Sequence, residues 1–218
     1  MLFSWLGFRT NLYRLANESL VDLAKEIGDE ELCGFAFDCN ADYGQIFFAA
    51  NTTEYMRFWA QEKVENPPEL TRLPELEEMI RQYSDKPLDT HIVRSFDEWV
   101  QRVQWSTGDW KYPQMNTFES LKIWSTYESA VSEWNMFCGG VFSGYMKFRF
   151  MNAACRVMRK LAQNGVFNQF KLAPAFDVFV SDHDECDEDA WKRLRRFIGP
   201  QSIAHNNAIN RSRGTGRL

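Results

Sequence analysis

The residues best suited to chemistry lie together near the end of the chain, in Asp182-His183-Asp184-Glu185-Cys186-Asp187-Glu188-Asp189. Carboxylates, an imidazole and a thiol are all metal-ligand types. Read as a calcium loop, the run lacks the glycine at its sixth position, puts Cys186 on a ligand position and ends on Arg193 instead of glutamate. A second reading is structural, because acids ahead of a helix cap its free N–H groups and complement its dipole. A third is an acidic surface for a partner, and a metal held by Asp182, His183 and Asp184 is the enzymatic alternative. Elsewhere the reactive types are scattered. The three histidines, His91, His183 and His205, are far apart, and no G-x-S-x-G marks a serine nucleophile. Gly139-Gly140-Val141-Phe142-Ser143-Gly144 lacks the Gly-Lys-Ser/Thr ending of a phosphate cradle and reads as a helix breaker. The five cysteines form no CxxC pair, which points away from a zinc ribbon and towards free thiols in a reducing compartment.

Charge and aromatic content narrow the function classes further. The net charge is -5, and Gln201 to Leu218 holds Arg211, Arg213 and Arg217 with no acid, so the residues before it carry -8 against +3 in that segment. An acidic body argues against a nucleic-acid binder and suits a basic protein partner. Lys192-Arg193-Arg195-Arg196 pairs with Glu188 and Asp189 at helical spacing and reads as a solvated face. Aromatic residues make up 15% of the chain, and most are expected in the core. Trp105, Trp110 and Tyr112 are open to two readings: rings that stack on a ligand or partner, or rings that pack a connecting segment over the sheet.

The elements that must position these residues alternate between the two structural periods. Leu12 to Ile27 has helical spacing and stops at Gly28. Glu31 to Phe37 and Gln45 to Ala50 read as strands joined by a polar turn, a β-hairpin. Asn51 with Glu54 three residues on reads as a capping box that starts a helix from about Thr53 to Lys63, ended by Asn66-Pro67-Pro68. Further helices are expected over Glu75 to Tyr83 and Phe96 to Val103, with Ser106 and Asp109 capping one turn that carries Trp110. Phe118, Leu121, Trp124, Tyr127, Val131 and Trp134 form a helical stripe, and Met146 to Gln163 forms another. Phe176 to Ser181 reads as a strand, and Asp187 to Phe197 as a last helix stopped by Gly199-Pro200. The expected architecture is α+β: a small, mostly antiparallel sheet of three or more strands covered by several helices, as a single domain over residues 1–200. A polar basic tail, 201–218, is expected to be disordered. No apolar run reaches transmembrane length and the start lacks a signal peptide's features, so the expectation is a cytoplasmic protein that contacts no membrane.

The order of motifs supports a resemblance. A strand at Leu32-Cys33-Gly34-Phe35 leads to a second one ending in Ala49-Ala50-Asn51-Thr52-Thr53-Glu54. Trp105-Ser106-Thr107-Gly108-Asp109-Trp110-Lys111-Tyr112, a Gly165-Val166-Phe167 turn and a strand running into Ser181-Asp182-His183-Asp184 follow. This series resembles an uncharacterised family of bacterial proteins of about this length, and through it the SUKH-like α+β immunity proteins of polymorphic toxin systems. The resemblance implies a protein that binds and neutralises a toxin domain stoichiometrically, with no catalytic residues, no cofactor and no metal. The expected contact surface combines Asp184, Glu185, Asp187, Glu188 and Asp189 with Trp105 and Trp110. The alternatives are the metal-dependent enzyme and a regulatory adaptor that is not an enzyme.

Overall fold

The computed structural model describes residues 4–41, 43–66, 95–104, 106–118 and 141–182. Its elements run α1 (Trp5–Ile27), β1 (Leu32–Asn40), β2 (Gln45–Thr52), α2 (Thr53–Glu65), α3 (Phe96–Val103), a 3-10 turn (Thr107–Asp109), β3 (Tyr112–Phe118), α4 (Val141–Gln163), a second 3-10 turn (Val166–Gln169) and β4 (Leu172–Asp182). The strands form one mixed sheet in the order β3-β2-β1-β4, antiparallel except where β1 and β4 run parallel. The α+β class, the hairpin and the mostly antiparallel sheet are as the sequence predicts. The expected helices over Glu75 to Tyr83 and Asp187 to Phe197, most of the Phe118 to Trp134 stripe and the tail lie outside the described residues.

Several boundaries differ from the sequence expectations, each for a local reason. Helix α1 begins a full turn and more before Leu12, because Ser4 caps it: its Oγ accepts the Gly7 N–H at 3.1 Å. Asn51 is not the cap of α2. It belongs to β2, paired with Gly34, and Thr52 caps the helix by accepting the Tyr55 N–H at 3.3 Å. A reciprocal box does form at Ser95 and Glu98, where each side chain accepts the other's backbone N–H at the start of α3. The expected one-turn helix before Trp110 is the 3-10 turn. There the Ser106 hydroxyl donates to the Asp109 carboxylate at 2.6 Å instead of accepting a backbone N–H. Strand β3 has no counterpart among the sequence expectations, and Phe118, counted there in a helical stripe, is its last residue.

The core has two layers around the sheet. On one face, α1 lays down Phe8, Leu12, Ala16, Leu20, Leu23 and Ile27 at steps of three and four, all buried. Helix α4 packs beside it in the same direction, since Trp5, Phe8 and Tyr13 meet Arg149, Phe150 and Lys160 in turn. Between these helices and the sheet the phenylalanines interlock. Phe8 meets Phe118 edge to face at 5.2 Å, Phe37 lies 5.1 Å from Phe48, and Phe35 reaches Phe167 at 5.5 Å. The opposite face of β1 presents Gly34, Ala36 and Asp38, small or polar, and is covered by Trp110 and the first 3-10 turn. Coverage on both faces explains why Leu32 to Cys39 is buried without a break.

A bulge places Cys33 between paired Leu32 and Gly34. Its thiol donates to the Asn51 carbonyl at 3.4 Å, and burial pushes it up to about 12. Ionisation is thus suppressed in the fold and free in the unfolded chain. The stability gained by keeping this thiol protonated is complete below about pH 9, and it is lost as pH climbs from there to about 12. In native protein at pH 8, Cys33 should be alkylated at least about a hundredfold more slowly than after denaturation. Peptide mapping after timed iodoacetamide exposure checks this, and equal rates would show that the thiol is not held as described.

Candidate functional site

Strand β4 delivers the acidic run. Asp182, its last residue, is fixed at two points: Oδ2 lies 2.6 Å from Lys147 Nζ on α4, and Oδ1 accepts the Ala41 N–H at 3.4 Å. The carboxylate is 14% exposed and the lysine 41%. The hairpin end, the helix and the last strand are therefore tied at the point where the chain leaves the sheet. An ammonium this close competes with any cation for the carboxylate. Among the described residues, no group of three or more His, Cys, Asp or Glu side chains could hold a metal. His183 to Asp189 and Trp105 lie outside the described residues, so of the expected contact surface only Trp110 is placed.

Trp110 is not an exposed ring. It is 3% exposed, its indole N–H donates to the Val103 carbonyl at 2.7 Å, and it meets Phe179 edge to face at 5.4 Å. The ring lies against Gly34, where a Cβ would come within 2.9 Å of it. The packing alternative therefore holds, and Trp110 leaves the expected contact surface, because a ring sealed between β1, β4 and α3 offers nothing to a partner. Around it, polar groups fasten the 3-10 turn and β3 to the sheet. Thr107 Oγ1 donates to Asp38 Oδ2 at 2.9 Å, in buried surroundings. Asn51 Oδ1 accepts from the Thr52 and Lys111 N–H groups at 3.0 and 3.3 Å. Lys111 Nζ reaches both Glu30 oxygens, at 2.6 and 2.8 Å. The Lys111 bond holds the Glu30 carboxyl below the usual carboxylate range and raises the lysine in turn. Both side chains are about a third exposed, so this pair positions the segment more than it stabilises it.

A second feature was missed by reading motifs alone. Between the N-terminal half of α1 and the middle of α4 lies a groove of about 300 Å³ lined by Trp5, Arg9, Phe148, Arg149, Asn152 and Arg156. Arg149 is held in place: its Nη1 donates to the Tyr145 hydroxyl at 2.8 Å, and its guanidinium sits 5.3 Å over the Trp5 ring. Arg9 Nε donates to the Trp5 carbonyl at 3.3 Å. None of the three arginines pairs with a carboxylate among the described residues. The sequence does carry a signal for this groove. Helix α4 has five basic residues and no acid, in a chain whose net charge is -5, and α1 has no acid before Glu18.

Among the described residues, no helix is long and apolar enough to cross a membrane. No curated protein and no solved structure matches the chain. A family described as a domain of unknown function, DUF4303, matches residues 12–197, which takes in the helices, the hairpin, the tryptophan segment and the strand that ends at Asp182. With most of its length matched, the chain belongs to the DUF4303 family.

Proposed function

We propose that this chain acts by stoichiometric binding, as an immunity-type protein that neutralises a cognate toxin domain in the cytoplasm. The observation that carries the reading is the double anchorage of Asp182 by Lys147 and Ala41, which launches the acidic run from a rigid sheet edge. A run of acids suits electrostatic recognition of a basic partner, since complementarity across an interface sets encounter rate and partner choice. The resemblance of the motif series to an uncharacterised bacterial family, and of that family to SUKH-like immunity proteins, motivates the same reading. Asp184, Glu185, Asp187, Glu188, Asp189 and Trp105 make up the proposed contact surface. The metal-enzyme alternative is disfavoured by the ammonium already seated on Asp182.

The test is a tagged pull-down from the source cells followed by expression of the retained partner. A one-to-one partner that kills cells alone, and is rendered harmless by co-expression of this chain, supports the reading. A stoichiometric partner without toxicity points to an adaptor instead. Charge reversal in E185K/E188K should weaken the complex at least about tenfold and abolish protection, with the thermal midpoint of the free protein unchanged. Unchanged affinity would remove the acidic run from the interface.

A further inference from the structure

We propose that the groove between α1 and α4 binds a nucleoside phosphate, with the phosphate on Arg9, Arg149 and Arg156 and the base against Phe148. Three guanidinium groups lining one concavity, with no carboxylate paired to them among the described residues, form a concentrated positive site on a chain that is acidic overall. Guanidinium forks match phosphate oxygens in pairs, which lysine ammonium groups do not. Two of the three are pre-positioned: Arg149 by Tyr145 and the Trp5 ring, Arg9 by the Trp5 carbonyl. Fixing them in advance reduces the ordering cost of binding.

The same groove supplies an apolar, planar element. Phe148 is 52% exposed although it lies on a helix whose other phenylalanine with a described side chain, Phe150, is buried. An exposed ring beside a phosphate site offers a face on which a base can stack, and such stacking tolerates any base. Asn152, half-buried between Phe148 and Arg156 along the helix, has both donors and an acceptor for a sugar hydroxyl or a base edge. The volume of about 300 Å³ lies at the lower end of small-ligand sites and fits one nucleotide. This concavity favours a small molecule over a flat macromolecular contact. The site does not depend on the toxin-binding reading, since Asp182 engages α4 through Lys147, which does not line the groove.

Equilibrium dialysis of the full chain against ADP, GDP, CDP and UDP tests the proposal, with adenosine, inorganic phosphate and phosphatidylserine vesicles as further probes. At least one nucleoside diphosphate should bind saturably at one per chain, adenosine should not bind, and phosphate should compete weakly. The double variant R9Q/R156Q should lose at least about tenfold in affinity, as expected from removing charge-assisted bonds. R156Q alone, at an exposed position, should lose several-fold and keeps the test standing if the double variant fails to fold. R159Q/K160Q removes the same charge from α4 outside the groove and should bind as the parent does. Equal losses in the two double variants would show diffuse attraction and overturn the site. So would failure of all four nucleotides, with or without vesicle binding.

Discussion

Trp110→Ala is expected to lower stability by about 3–5 kcal/mol, the range for removing a fully packed large aromatic. In a chain of this size that corresponds to a thermal midpoint roughly 6–20 °C lower. The indole is 3% exposed, meets Phe179 edge to face and donates to Val103. Its removal opens a cavity between β1 and β4 and takes the shorter of two hydrogen bonds from the Val103 carbonyl, which keeps only the Ser106 N–H at 3.3 Å. Trp110→Phe keeps part of the ring volume and loses the donor, so it should fall between parent and alanine. Thermal unfolding followed by circular dichroism measures all three. A midpoint for the alanine variant within about 2 °C of the parent would show that the ring is not buried as described.

The same ring makes Gly34 diagnostic. A methyl group there would sit 2.9 Å from Cη2 and 3.2 Å from Cζ2 of Trp110, and the indole is pinned by its bond to Val103. Gly34→Ala should cost about 1–3 kcal/mol by overpacking. In the Trp110→Ala background the methyl group faces the vacated space, so the second substitution should cost little or restore stability. The double-mutant cycle therefore carries a coupling of about 1–3 kcal/mol. Additive effects would mean that the two residues do not touch.

What could be read in advance follows from how local each signal is. The hairpin and α1 are legible because their signals lie within a few residues: α1 buries the residues its helical spacing marks, and the two strands are short apolar runs either side of a polar turn. Strand β3 is not. Tyr112-Pro113-Gln114-Met115-Asn116-Thr117 shows no alternation, because it is the outer strand beside β2 and several of its side chains face solvent. Its strand character comes from pairing with β2, which no local window contains. The parallel pairing of β1 with β4 joins residues more than a hundred positions apart and is equally invisible. Trp110 is ambiguous in the sequence, and the deciding feature is the glycine opposite it, which only the fold brings there. The groove arginines escaped notice because each is unremarkable alone; their meaning comes from the parallel packing of α1 on α4.

Asn51→Ala is expected to cost about 1–3 kcal/mol, and to do so by loosening a segment distant in sequence. The residue is 1% exposed and lies at the end of β2, where a strand would ordinarily place an apolar side chain. Its carboxamide orientation is fixed by its partners: two backbone N–H groups, those of Thr52 and Lys111, require an oxygen. Among the described residues the buried amide nitrogen has no hydrogen-bond partner, a cost accepted for the bond to Lys111. That bond sets where β3 begins, and Glu30 holds the side chain of the same lysine. Removing the oxygen while Glu30 still grips Lys111 should leave β3 paired but the Lys111 N–H just ahead of it unprotected. Hydrogen exchange should therefore show Lys111 exchanging at least about tenfold faster in the variant, while Phe35 and Phe37 in the central strand stay protected. Exchange faster by the same factor in all three would indicate global destabilisation. Exchange unchanged at Lys111 would mean that Asn51 is held in place by packing alone.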